Sequence, residues 1–301
     1  MSMLSALVGC ILLCAGSVPS NFEVVGTVGP TLPNGELVVR PVDIAVSNRG
    51  EMYVLDQGRK MVVHVGKGAT VEGEFGGFGW DQERMWEPAC IALSPLGVYV
   101  TDPEQESILK FDREGAFVRR LLLSQIAEDI ALPLRPWGIA VGPGGEVFVT
   151  DPQNGLVFRL DFSDRVEVSF GVFGRGLAQI DEPRGVYVSA DRRVYVCDTG
   201  NQRVQVLDSL GNVLYQWAIP GDGEPWDLAV DAWGYCFVTA PGQGVVFVFE
   251  PSGTPLLSWR PDGTGANTPF RPLGISTGGD GFVYVVDGGT GAILVLKVIR
   301  K

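Results

Sequence analysis

Residues 183–217 read PRGVYVSADRRVYVCDTGNQRVQVLDSLGNVLYQW, and four strands separated by three turns can be marked off inside them. Pro183 to Val188 is a first strand, turned by residues 189–193. Val194 to Cys197 is a second, with the alternation of a strand packed on both faces. Asp198 to Gln202 turns the chain, with Gly200 or Asn201 available for a positive φ. Val204 to Leu207 is a third strand, Asp208 to Gly211 a further turn, and Val213 to Trp217 a fourth strand.

The same grammar runs through the whole chain. A charged residue precedes Pro, an apolar segment and a Gly-containing turn follow, and an alternating run ends in Asp. The starts are Arg40-Pro41, Glu87-Pro88, Arg135-Pro136, Glu182-Pro183, Glu224-Pro225 and Arg271-Pro272. The runs end at Asp56, Asp102, Asp151, Asp198, Ala240 and Asp287, and the prolines recur every 42 to 48 residues. Repeats of this length built from short strands predict an all-β fold, a six-bladed β-propeller with four-stranded antiparallel blades. The sixth repeat stops after its third strand, 292–298 (AILVLKV), while residues 22–28 (FEVVGTV) form an orphan outer strand. The N-terminal strand is therefore expected to complete the last blade, closing the ring and removing an open sheet edge.

The wording YVCDTGNQRVQVLDSLG (195–211) closely resembles the NHL repeat. Looser copies are YVTDPEQESILKFDREG (99–115), FVTDPQNGLVFRLD (148–161) and FVTAPGQGVVFVFEPSG (237–253). The resemblance spans residues 22–298. It implies the propeller fold and leaves function open, since NHL propellers perform unrelated tasks.

Residues 3–18 (MLSALVGCILLCAGSV) form an apolar stretch followed by small residues and Pro19, the pattern of a secretory leader cleaved near Ser17 or Ser20. No Lys or Arg precedes it. Leu7-Val8-Gly9-Cys10 resembles a bacterial lipoprotein processing box, and an uncleaved anchor is a third reading. The division is thus a leader over residues 1–20 and a propeller over 21–301. Location is expected outside the cytoplasm: periplasmic, extracellular or in the cell envelope. No later segment approaches a membrane span.

Net charge is −12. An acidic surface repels phosphate backbones, so nucleic acid is not an expected partner, although some basic NHL propellers bind RNA. With one histidine, His64, a multi-His zinc site is ruled out within one chain, as is a close match to the NHL-like amidating lyases. His64 sits in the alternating run MVVHV and reads as a strand residue. Cys90, Cys197 and Cys236 replace apolar strand residues and read as buried thiols, with one disulfide as the alternative.

What every blade shares is architecture, and what differs is a candidate for function. The Asp that ends the second strand in five of the six blades reads as an Asx-type cap of the turn after it. Trp217 and Trp259 fall on outer strands and are expected between blades, whereas Trp233 lies in a turn on the far face. The starts of the inner strands differ from blade to blade, and they should meet around the mouth of the central channel. The residues before Pro are Arg40, Glu87, Arg135, Glu182, Glu224 and Arg271. The next position after Pro holds Val42, Ala89, Trp137, Arg184, Trp226 and Leu273. The one beyond holds Asp43, Cys90, Gly138, Gly185, Asp227 and Gly274.

Two readings follow. The charges could pair with one another and plug the channel. Alternatively Arg40, Asp43, Glu87, Arg135, Trp137, Glu182, Arg184, Glu224, Trp226, Asp227 and Arg271 form a polar pocket with two aromatic platforms, suited to a protein segment, peptide or glycan. Loops 76–87, 171–182 and 260–271 are long enough to wall such a pocket, with Trp80 and Trp86 in the first of them. The expected function is a non-catalytic, monomeric binding module without a cofactor. The alternative is a metal-dependent lactonase or esterase, similar to the gluconolactonase-like propellers. Glu87, Glu182, Glu224, Asp43 and Asp227 would then hold calcium or another divalent cation.

Overall fold

Each repeat folds as one antiparallel sheet, its strands laid in chain order from the axis outward. In the fourth blade these are Pro183–Val188, Val194–Asp198, Arg203–Leu207 and Val213–Ala218. The other inner strands are Pro41–Val46, Cys90–Ser94, Ile139–Val141, Asp227–Val230 and Pro272–Thr277. The structure is a computed structural model. It describes residues 18–32, 35–36, 38–67, 69–77, 82–127, 130, 132–262 and 269–301.

Burial follows the sequence pattern. Five of the six second strands, such as Val194–Asp198 and Val147–Asp151, are buried at every position, and these two carry near-continuous Val, Phe and Tyr. The outer strands alternate, as in Val213–Ala218, because only one side chain in two meets a neighbouring blade. One apolar cluster fills each of the six interfaces between neighbouring blades. Each inner strand packs against those of both neighbours, the sixth against the first, so the ring is closed.

The closing strand is Pro19–Val28, which pairs antiparallel with Ala292–Arg300. It begins inside the stretch read as a leader, whose first 17 residues lie outside the described ones. Its Phe22 is 6% exposed and meets Trp259 at 5.3 Å and Phe237 at 5.8 Å between ring centres. The fifth and sixth blades are thus joined through a residue from the far end of the chain.

Hydroxyls tie the blades together at the level of the inner strands. Thr101 Oγ1 donates to the Trp137 carbonyl, Thr150 to Arg184, Thr199 to Pro225 and Thr239 to Leu273, at 2.5 to 2.7 Å. Gln57 Nε2 makes the matching bond to the Pro88 carbonyl. Each bond runs from one blade to the next.

Cys90, Cys197 and Cys236 are free, buried thiols, so no disulfide forms among them. His64 stacks on Tyr53 at 4.2 Å within its strand, as the alternating run predicts. Trp217 packs on Phe249 of the next blade and Trp259 on Phe270. Trp233 is half exposed and lies under the Arg300 guanidinium.

Candidate binding site at the channel mouth

The buried Asp that ends the second strand in five of the six repeats reaches beyond its own turn. Asp56 accepts from the turn amides of Gly58 and Arg59, and also from the amides of Val39 and Arg40 at 2.9 Å. Asp102 holds Trp86 and Glu87 in the same way, Asp151 holds Arg135, Asp198 holds Asp181, and Asp287 holds Arg271. A carboxylate accepting several amide bonds fixes the backbone around it. These carboxylates therefore set the path of the chain just before five of the six inner strands, where the variable charges stand.

All six of those charged residues are exposed around the mouth. They do not pair with one another. Among the described residues the one ion pair they make joins Arg135 to Glu104 at 2.9 Å. A closed ring of mutually paired charges is not what the mouth contains.

What covers the axis is Arg184. Its guanidinium carbon lies 4.1 Å from the ring centre of Trp226 and 4.5 Å from that of Trp137. The two indoles meet edge to face, 6.0 Å apart. The third, fourth and fifth blades thus meet in one aromatic–cation–aromatic unit, an arrangement stabilised by the ring quadrupoles. Burial pulls the Arg184 pKa down from the ordinary arginine value, against the opposing pull of Glu182 and Glu224. Its Nε is buried with no hydrogen-bond partner.

Two cavities adjoin this unit and share Glu87 and Trp137. The first, of about 320 Å³, is lined by Arg40, Val42, Gln57, Trp226, Arg271 and Leu273 among others. The second, of about 380 Å³, is lined by Glu104, Arg135, Glu182 and Arg184 with neighbouring prolines. Glu224 stands on the rim beside Trp226 and lines neither. Trp86 is 51% exposed on the same face, with Arg84 above its ring. Trp80 lies outside the described residues.

Asp43 and Asp227 are not at the mouth surface. They are 4% and 9% exposed and line an inner cavity of about 300 Å³ walled by all six inner strands. Asp43 accepts from the amides of Ile44 and Ile91 and from the Cys90 thiol, each at 2.8 Å. Asp227 accepts from the Ile275 amide at 2.9 Å. Burial pushes the Asp43 carboxyl up to about 6, and burial plus the Asp43 charge raises Asp227 well above the usual carboxylate range. The glycines after Pro make room for them. A Cβ on Gly274 would lie 2.3 Å from Asp43 Oδ1, and one on Gly185 would lie 2.5 Å from Asp227 Oδ1. Side chain and glycine belong to neighbouring blades, a pairing hidden from a single repeat.

The five carboxylates named for a divalent cation fall in two places, Asp43 and Asp227 in the inner cavity and Glu87, Glu182 and Glu224 at the mouth. The buried carboxylates already face hydrogen-bond donors, and Glu87, Glu182 and Glu224 stand exposed on three separate blades. No group of three or more His, Cys, Asp or Glu among the described residues is arranged to hold a metal.

The NHL repeat family matches residues 181–207, the stretch that supplies Glu182, Arg184 and the Asp198 anchor. The chain is a six-bladed β-propeller that carries an NHL repeat. Human E3 ubiquitin-protein ligase NHLRC1 is 25% identical over 87% of this chain and 68% of its own length. The Drosophila melanogaster protein brain tumor is 27% identical over 53% of this chain and 14% of its own length. The chain thus spans about two thirds of the first relative and a small part of the second. Among solved structures, a streptogramin B lyase superposes with a TM-score of 0.67 at 16% identity, covering 92% of this chain and 98% of that one. Virginiamycin B lyase from Staphylococcus aureus gives 0.65 at 14%, covering 93% and 100%. At such identity the likeness is one of fold.

Proposed function

We propose that this propeller is a non-catalytic binding module that holds a peptide segment of a partner protein across its channel mouth. The observation that carries the reading is Arg184, a cation held between Trp137 and Trp226 with a buried, unpartnered Nε, at the meeting of two cavities. Arg184 lines the second cavity and its guanidinium donates to no acceptor among the described residues, so a ligand carbonyl or carboxylate there would meet its terminal nitrogens. Exposed apolar side chains on the same face, Val172, Phe173 and Leu177 of loop 171–182, support a protein partner over a small solute. Both indoles are engaged with the guanidinium, which favours a peptide over a glycan stacked on bare rings.

The human relative is named an E3 ubiquitin-protein ligase. Holding a partner is the one role carried from it to this chain. The reading includes export, action as a monomer and no cofactor. Among the described residues no helix is long and apolar enough to cross a membrane.

The test is panning of a displayed random peptide library against the folded protein. Enriched peptides should bind the wild type and lose binding to Trp137→Ala and Trp226→Ala proteins that still unfold cooperatively. Equal binding by both variants would end the reading. A melting temperature raised by calcium, magnesium or manganese would instead favour the metal-dependent hydrolase.

A further inference from the structure

The two mouth cavities differ in charge. In the first, Arg40 and Arg271 come from the adjoining first and sixth blades. Both are exposed, and among the described residues neither forms an ion pair. Their amides, not their side chains, are held by Asp56 and Asp287, so both guanidiniums are available to a ligand. The second cavity is lined by three carboxylates, Glu87, Glu104 and Glu182, against two guanidiniums, Arg135 paired to Glu104 and Arg184 held against the indoles and drawn by Glu182. The shared wall carries Glu87, which forms no ion pair among the described residues, and Trp137.

We propose that the mouth is polarised and takes a peptide segment in one orientation. An acidic side chain meets Arg40 and Arg271, an apolar side chain crosses Trp137 and Trp226, and a basic side chain lies toward Glu87 and Glu182. This rests on the reading of the mouth as a peptide site. It adds what the peptide must carry and which way round it lies. Arginine presents a planar fork that matches a carboxylate, and the paired arrangement sets register where the apolar contact alone would not. On a chain of net charge −12, two unpaired guanidiniums lining one aromatic-walled cavity select locally for what the rest of the surface repels.

The experiment compares peptides enriched from a displayed random library on three proteins: the wild type, the Arg40→Glu/Arg271→Glu double variant, and Glu182→Lys. All the exchanged side chains are exposed, and the melting temperature should stay close to that of the wild type. Wild-type peptides are expected to carry an acidic and a basic position on either side of an apolar one. They should lose about tenfold or more in affinity for the double variant, which should now enrich basic residues at the formerly acidic position. Glu182→Lys should shift only the other end. Peptides with no acidic position, or with equal affinity for the double variant, would overturn the polarity while leaving the mouth reading to its tryptophan test. Failure to enrich any peptide would remove both.

Discussion

The guanidinium of Arg184 lies 4.1 Å from the ring centre of Trp226, which belongs to the next blade. A contact between blades at the axis needs both a closed ring and a variable residue at the same level of each inner strand. It joins the fold to the proposed ligand site. Arg184→Ala is expected to change stability by no more than about 1 kcal/mol, since the lost cation–π contacts are offset by removal of a buried unpartnered donor. Binding of enriched peptides should nevertheless fall sharply, and Arg184→Lys should not restore it, because an ammonium lacks the planar face. Urea midpoints and peptide affinities read the two effects separately. A large loss of stability with retained binding would make Arg184 a structural post.

Asp208 accepts the backbone amides of Leu210 and Asn212 in its turn, whereas Asp198 accepts the Asn201 side-chain amide from its own. Only Asp198 is fully buried, and it also holds the Asp181 amide and the Arg203 guanidinium. Asp198→Ala should cost about 3 kcal/mol or more, because a largely buried guanidinium is left without its partner. Asp208→Ala should cost about 1 kcal/mol or less. Denaturant midpoints of the two variants should differ accordingly, and equal losses would contradict the anchoring role.

The period, the blade boundaries and the closing strand could be read from the chain because each is a local pattern: Pro before an inner strand, Asp after a second strand, and the orphan FEVVGTV at the start. The charge ring was visible too, as six residues in one register. Three features were not. The second task of Asp56, Asp102, Asp151, Asp198 and Asp287, bonding amides about 16 residues upstream, depends on two strands meeting at one end. The depth of Asp43 and Asp227 depends on glycines in neighbouring blades. The Arg184 sandwich depends on distances across the axis. The first joins the two ends of neighbouring strands and the other two join different blades, so alternation and turn chemistry carry no trace of them.

Closure by Phe22 should be worth a large share of the stability. Truncating a buried aromatic costs about 3–5 kcal/mol when the site cannot collapse. Phe22→Ala should therefore lower the urea midpoint strongly. Hydrogen exchange should rise first in strand Ala292–Arg300, its pairing partner. Faster exchange spread evenly over all blades would mean that this strand is not the weak seam.

Asp43 gives the fold a measurable pH dependence. Its carboxyl is raised from 3.8 to about 6, so the folded chain holds a proton that the unfolded chain has released. Stability from this group is full below pH 3.8 and is lost as pH rises through about 6. The raised Asp227 acts in the same direction. Asp43→Asn should flatten the fall in melting temperature across that window relative to the wild type. An unchanged slope would place the ionisation elsewhere.

Hydrogen–deuterium exchange with and without an enriched peptide tests the central claim most directly. The mouth reading predicts protection of the segments around Arg40, Trp137, Arg184, Trp226 and Arg271, with the far-face turns at 94–97 and 231–235 unchanged. Protection confined to those turns, or to the outer strands, would contradict it.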